Sequence, residues 1–300
     1  MKSALIQLLL KKNIFVTRRL GQNFLIDPNF FDYIIRTAGI SGLDDVIEIG
    51  SGPGILTGLL SQQARSVTAV EIDQKLVSLA QESLSGRTNV RFINDDILDK
   101  PRTGINAQVI RQLDSGAGYK IVSNLPYKTA VPIIMTLLES RLADGGLKIK
   151  SMLVMVQWEV AERLVASVGT AQYGSVSVRA QYLADIKIER KVPPEVFYPK
   201  PKVQSAMISI VPKDGVDAAL YHGLKKLSSA VFNYRRKTVR SALKQSAVVD
   251  GWVVNAVRHP AVAGKEDIEK MLSQAGINGE TRPQDIPLSG YLDLCRSITL

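Results

Sequence analysis

The sequence predicts an α/β fold: a doubly wound, mostly parallel seven-stranded sheet followed by a smaller all-helical C-terminal domain. Three observations predict it. Short apolar strand patterns alternate with helical spacings through the first half of the chain, the order that builds parallel crossovers. A glycine loop, Gly50-Ser51-Gly52-Pro53-Gly54, stands directly between a strand and a helix, as at a nucleotide-binding first turn. Beyond Pro212 the strand patterns stop and only helical spacings continue. The expected division is 1–20 as a basic N-terminal arm, 21–212 as the sheet domain and 213–300 as the helical domain.

Composition sets the class of partner. A chain of 300 residues that is 45% hydrophobic and 22% charged can bury two cores and is not disordered over most of its length. The net charge of +10 favours a polyanion, because each phosphate neutralised by Lys or Arg releases condensed counterions. Nucleic acid is the first candidate. No apolar run approaches the roughly 20 residues of a spanning helix, so the protein is expected to be soluble and without a membrane partner. Cys295 is the only cysteine, which leaves no intrachain disulfide framework and suits a reducing, cytoplasmic compartment. With His222 and His259 as the only histidines, no Cys/His metal cluster can be assembled, and no metal is expected.

The elements follow in order. Residues 4–10 form an apolar run with no small-residue cleavage pattern behind it, so a short helix is expected there rather than an export signal. Lys11, Lys12, Arg18 and Arg19 lead into the tight Gly21-Gln22-Asn23-Phe24-Leu25 loop, and the segment reads either as a basic arm or as a solvated tail. Asp27 and Pro28 then start a helix as N-cap and first helical residue, with Phe30, Ile34 and Ile35 as its apolar stripe. Strands are expected at 46–49, 67–70, 90–93, 119–123, 150–156, 183–192 and 207–211. Helical spacing follows the glycine loop at 55–60, the cap Asp73 through Leu76, Val77 and Ala80, and returns at 132–142, 159–168 and from 173. Residues 104–118 read as a polar connection, and 193–203 as a stiff loop, because four prolines remove ladder donors. The C-terminal helices are expected at 224–232, 235–243, 253–257 and 268–272.

Chemistry concentrates where the strands end. Glu48 precedes the glycine loop by two residues, and the missing side chains there let backbone approach a ligand closely. A dinucleotide fingerprint would want glycine where Ile55 stands, and no Gly-Lys-Ser/Thr of a P-loop follows, so NAD and ATP both lose ground. Glu71 ends the second strand about 20 residues past the loop, placed to accept both hydroxyls of a ribose. Asp95 and Asp96 end the third, and one of them is placed to accept the exocyclic amine of an adenine. Ser123-Asn124-Leu125-Pro126-Tyr127 ends the fourth with an amide, a proline and an aromatic ring at one spot. That set suits a clamp for a flat aminated ring: the amide and a backbone carbonyl accept two N–H bonds while the aromatic stacks. Phe197, in the proline loop, is either a second stacking face or a core residue. Lys225, Lys226, Arg235, Arg236, Lys237, Arg240 and Lys244, interleaved with Phe232 and Tyr234, make the helical domain the polyanion surface.

Taken together and in order, Gly21-Gln22-Asn23-Phe24-Leu25, the Glu48 to Gly54 stretch, Asn124-Leu125-Pro126-Tyr127, the proline loop with Phe197, Lys202 and Val203, and Asn233-Tyr234-Arg235-Arg236-Lys237-Thr238 carry a resemblance. The chain resembles the KsgA family of ribosomal RNA adenine dimethyltransferases from about Arg18 onward. The resemblance implies a class I methyltransferase-type fold and S-adenosylmethionine as cofactor. It implies transfer of two methyl groups to N6 of each of two adjacent adenines near the 3′ end of small-subunit rRNA, within an immature small ribosomal subunit, by a monomer. Asn23, Leu25, Glu48, Gly50, Gly52, Glu71, Asp96 and Asn124 would then bind the cofactor, Asp96 rather than Asp95 taking the adenine. Asn124, Leu125, Pro126, Tyr127 and Phe197 would hold the target base, and Arg18, Arg19, Lys202, Arg235, Arg236, Lys237 and Arg240 the RNA. Two other readings stand beside it: an assembly factor that keeps the fold with little catalysis, and a large-subunit rRNA methyltransferase conferring antibiotic resistance. The Asn-Leu-Pro-Tyr form and the 233–238 motif speak against the last. The apolar run before Lys11 has no counterpart in the resemblance.

Overall fold

The computed structural model describes residues 2–15, 21–113, 118–143, 145–250 and 265–299. Arg18, Arg19 and the expected helix at 253–257 lie outside the described residues. The chain divides into two compact units: Met1–Ala161 with Asp185–Pro212, and Glu162–Ala184 with Lys213–Leu300.

The first unit begins with α1 (Lys2–Lys11), the short strand β1 (Phe24–Leu25) and α2 (Pro28–Ala38). The Asp27 carboxylate accepts the Phe30 N–H at 3.1 Å, the expected cap, which contributes about 1 kcal/mol. Strands β2 (Asp45–Ile49), β3 (Ser66–Glu71), β4 (Val90–Asn94) and β5 (Tyr119–Asn124) then alternate with α3 (Ile55–Leu60), α4 (Gln74–Ser83) and α5 (Ala107–Gln112). After α6 (Ala130–Ser140) come β6 (Ile149–Gln157) and α7 (Trp158–Leu164), and the unit closes with β7 (Ala184–Val192), β8 (Phe197–Tyr198) and β9 (Ser205–Pro212).

The sheet runs β4-β3-β2-β5-β6-β9-β7, with β2, β3, β4, β5 and β6 paired parallel and β9 antiparallel to β6. The chain therefore moves outward from β2 through β3 to β4, then crosses back to lay β5 on the other side of β2. Strand order reverses between β2 and β5, and ligands bind outside the carboxyl ends at such a switch point. The reversal places the glycine loop beside the Asn124 motif. Both sheet faces are covered, and Val46, Ile47, Val67, Ala69, Ile121 and Ile208 are fully buried.

Four expectations are corrected. The described part of the N-terminal segment, 2–15, is not a free arm: Leu5 and Leu9, one helical turn apart, pack with Ile14 against Phe24, Ile26, Leu76 and Leu79, and Lys12 pairs with Glu82 at 2.6 Å. The 104–118 connection contains α5, capped by the Asn106 side chain on the Gln108 N–H. The proline loop includes β8, which pairs antiparallel with β1 through Phe24–Tyr198 and Leu25–Phe197. Residues 162–184, assigned by sequence to the sheet domain, belong to the helical unit, because Ala166, Tyr173 and Val178 are buried in its core.

That second unit also holds α8 (Ser175–Leu183), α9 (Ala218–Phe232), α10 (Val239–Asp250), α11 (Lys265–Gln274) and α12 (Leu288–Thr299). Leu224, Leu227, Val231, Val239, Leu243, Tyr291 and Leu294 fill its centre. Residues 235–238, expected as the start of a helix, lie with Asn233 and Tyr234 in the turn between α9 and α10; the Tyr234, Arg235 and Lys237 N–H groups reach back only three residues.

Candidate active site

Four strand ends and the N-terminal loop of the first unit line one cleft. Its walls include Asn23, Phe24 and Leu25, the 48–53 stretch, Glu71 and Ile72, Asp95, Asp96 and Ile97, and residues 124–129. Of the residues expected to bind cofactor or base, all but Phe197 line it.

The glycines are required by space as well as by backbone. Gly50 has φ +74, and a β-carbon there would stand 3.3 Å from the Pro126 ring. Gly52 has φ +55, and its β-carbon would meet the Phe24 ring at 3.1 Å. The loop therefore packs flat between the proline of one strand end and the aromatic of the N-terminal loop, with backbone facing the cleft.

Two buried carboxyl groups flank it. Glu71 accepts the Gly52 N–H and the Asp73 N–H, each at 2.9 Å, which aims it at the glycine loop. Burial raises its pKa despite those bonds. Glu48 sits 2.5 Å from the Thr57 hydroxyl, and burial pushes its pKa up to about 8, with the Thr57 bond opposing and the Glu71 charge adding. Burial thus favours the protonated form of Glu48 near neutral pH. Asp73 caps α4 as expected, accepting the Lys75 N–H at 3.0 Å, and its other oxygen accepts from Gln22 at 3.1 Å. Asp96 accepts the Leu98 N–H at 3.1 Å through Oδ1, while Asp95 turns back to the Asp96 N–H at 2.8 Å.

At the β5 end, Asn124 Nδ2 donates to the Asn23 carbonyl at 2.8 Å, and Oδ1 is buried with no partner. The Ser51 hydroxyl is likewise buried and unpartnered. Buried polar groups are almost always paired, so two orphans lining one cleft mark places where a ligand supplies the missing partner. Leu125 is fixed by its N–H to the Met155 carbonyl at 3.1 Å, and Pro126 accepts the Thr129 N–H at 3.0 Å. The Tyr127 hydroxyl lies 2.5 Å from Ser205 Oγ, which pins the ring at the cleft, and burial raises its pKa.

Phe197 is a correction. It is 2% exposed and packed with Leu25, Phe30, Phe31 and Val196, because pairing of β8 with β1 turns its ring into the core. The cations also divide. Arg235 donates to Gln284 and to the Thr170 carbonyl, each at 3.0 Å, and so ties together its own unit. Arg240 pairs with Glu269 and Glu280. Arg240 is charge-paired within the unit and Arg235 gives donors to neutral oxygens, whereas Lys202, Arg236 and Lys237 are exposed and make no ion pair among the described residues. Sequence reasoning missed Ser51, although it lies inside the glycine motif, and Arg102, which lines the cleft from a loop carrying no motif.

Among the described residues no group of three or more metal-ligating side chains occurs, and no helix is long and apolar enough to cross a membrane. The sheet order, the glycine loop at the switch point and the acidic strand ends define a class I methyltransferase. The ribosomal RNA adenine dimethylase family model matches residues 15–278, and the chain belongs to that family. It is 37% identical over 280 residues to the ribosomal RNA small subunit methyltransferase A of Levilactobacillus brevis, covering 92% of this chain and 88% of that protein. Two solved structures share the fold. A dimethyladenosine transferase from Plasmodium falciparum aligns with TM-score 0.74 at 24% identity, covering 90% of this chain and 95% of that one. The 23S rRNA methyltransferase ErmE aligns with TM-score 0.62 at 23% identity, covering 92% and 100%.

Proposed function

We propose that the protein uses S-adenosylmethionine to dimethylate N6 of two adjacent adenines in the 3′-terminal hairpin region of 16S rRNA, acting as a cytoplasmic monomer on an immature small subunit. One observation carries the reading: Asn124 presents a buried, unpartnered acceptor at the switch point, in an orientation fixed by the Asn23 carbonyl. The bound cofactor supplies an electrophilic methyl group on a sulfonium. The residues present fit it, since the glycine cradle leaves room for close approach, Ser51 offers an unused hydroxyl, Glu71 reaches the cleft, and Asp96 has an oxygen not taken by backbone.

The difficulty of the reaction is position. The lone pair of an exocyclic amine is delocalised into the purine, and acceptors for its N–H bonds favour the localised form that attacks carbon. Asn124 Oδ1 is one such acceptor, and the Leu125 carbonyl is the second. Tyr127 stacks on a base taken out of its helix, with its hydroxyl anchored to Ser205. The amine held by Asn124 Oδ1 and the Leu125 carbonyl would receive that methyl group and give up its proton to water. Arg236, Lys237 and Lys202 are the exposed cations for RNA phosphate.

Incubation with tritium-labelled S-adenosylmethionine and unmethylated small and large subunits together, followed by mapping, tests the reading. Label on two adjacent adenines of the small subunit is expected. Label confined to large-subunit rRNA, the reaction named for ErmE, or no transfer at all, would sink it.

A further inference from the structure

The loop that follows β4 is closed by a bridge between Leu98 and Ile105 and organised by Asp99. The Asp99 carboxylate accepts the Thr103 N–H at 2.7 Å and the Gly104 N–H at 3.0 Å, and its carbonyl accepts the Arg102 N–H at 2.8 Å. This bracket holds Arg102 at φ +74, a left-handed backbone that side chains with a β-carbon rarely adopt. Glycine would sit there without strain, yet an arginine stands in its place. Strain of this kind persists where the surroundings impose it, and it clusters at ligand sites.

The conformation delivers the side chain to the cleft. Arg102 lines it beside Ile72, Ile97 and Asp96, and one guanidinium nitrogen lies 4.0 Å from Asp96 Oδ2. The other Asp96 oxygen is held by the Leu98 N–H, so Oδ2 is the acceptor left for a ligand amine. At 4.0 Å the guanidinium is too far for a good hydrogen bond to that oxygen but close enough to cover whatever the oxygen holds. We propose that Arg102 is a binding residue for the purine of the cofactor, laying its guanidinium plane on the ring while Asp96 takes the amine. The assignment rests on the S-adenosylmethionine reading above. A guanidinium suits the place: it is planar, weakly hydrated and stacks on aromatic faces, whereas an ammonium does none of these equally well.

Titration calorimetry of the full chain with S-adenosylhomocysteine, and competition by adenosine and by methionine, tests it. Arg102→Gly removes the side chain and the strain together. Its affinity for S-adenosylhomocysteine should fall about tenfold, adenosine should compete correspondingly less well, and methionine should compete as before. The ligand-free melting temperature should hold or rise, which a merely structural arginine would not allow. Arg102→Lys should recover little, since charge returns without the plane. Wild-type affinity in Arg102→Gly, or full recovery in Arg102→Lys, overturns the proposal. Absence of binding by the wild-type chain overturns the cofactor reading and this assignment with it, a result distinct from a selective loss in the variants.

Discussion

Asn124 and Asn23 lie 101 residues apart in sequence and are joined by one hydrogen bond, from the Asn124 side-chain amide to the Asn23 carbonyl at 2.8 Å. A carbonyl only accepts, so the bond requires the NH2 of Asn124 on that side and leaves Oδ1 for the cleft. The N-terminal loop thus sets which face of the amide a ligand meets. The same loop presses Phe24 against Gly52, and α1 packs behind Phe24 through Leu5 and Leu9.

From that bond follows the first prediction. Asn124→Ala removes the acceptor aimed at the target amine, and methyl transfer should drop about 10²–10³-fold, the scale of losing one such preorganised group. RNA affinity should stay near wild type. Asn124→Asp should fare no better, because it sets an acceptor against the Asn23 carbonyl. Tritium transfer and filter binding on the same preparations check both halves, and undiminished turnover in Asn124→Ala would remove this residue from the reaction.

Glu48 predicts a pH dependence of stability. Its folded pKa of about 8 lies above the usual carboxyl value, chiefly through burial, so the folded state holds a proton that the unfolded chain has released. Its contribution is fully present below the unfolded pKa and is lost as pH rises toward 8. The slope in that window is about 1.4 kcal/mol per pH unit when the group alone titrates. Glu48→Gln keeps the neutral shape and should flatten the decline. Urea unfolding of both proteins at about pH 5 and about pH 8, near the two ends of that window, measures the difference; parallel curves would mean that Glu48 does not carry that proton.

The parts of this molecule that have a period were legible in sequence. Strands of apolar residues at 46–49, 67–70 and 119–123 appear as β2, β3 and β5, and the Asp27 and Asp73 caps are where their residue types put them. The pairing of β1 with β8 was not legible, since two-residue strands carry no alternation, and it decides that Phe197 is core. Charge misled for a related reason. Counting cations along 235–240 cannot reveal that Arg240 meets Glu269 and Glu280, 29 and 40 residues away. Arg102 was invisible because its role depends on a backbone angle that Asp99 imposes.

Phe197 gives a third prediction. As a buried ring among Leu25, Phe30 and Phe31, its truncation to Ala should cost about 3–5 kcal/mol, read from the urea midpoint. Phe197→Leu should cost less and keep cofactor affinity. A ring that faced the cleft would behave in the opposite way, with stability kept and turnover lost.

The fourth concerns the basic turn between α9 and α10. Arg236 and Lys237 are exposed, while Arg240 is held by two glutamates. Each phosphate that a removed cation no longer neutralises should reduce the slope of log affinity against log salt by about 0.7–0.9. Arg236→Ala with Lys237→Ala should therefore flatten the RNA-binding slope by about 1.4–1.8 and leave the melting temperature unchanged. Arg240→Ala should do the reverse, lowering the melting temperature by unpairing Glu269 and Glu280 while the salt slope stays. RNA binding across a salt series, run beside thermal unfolding of each variant, separates the two kinds of arginine. A flattening in Arg240→Ala equal to that of the double variant would show that its ion pairs open to receive phosphate.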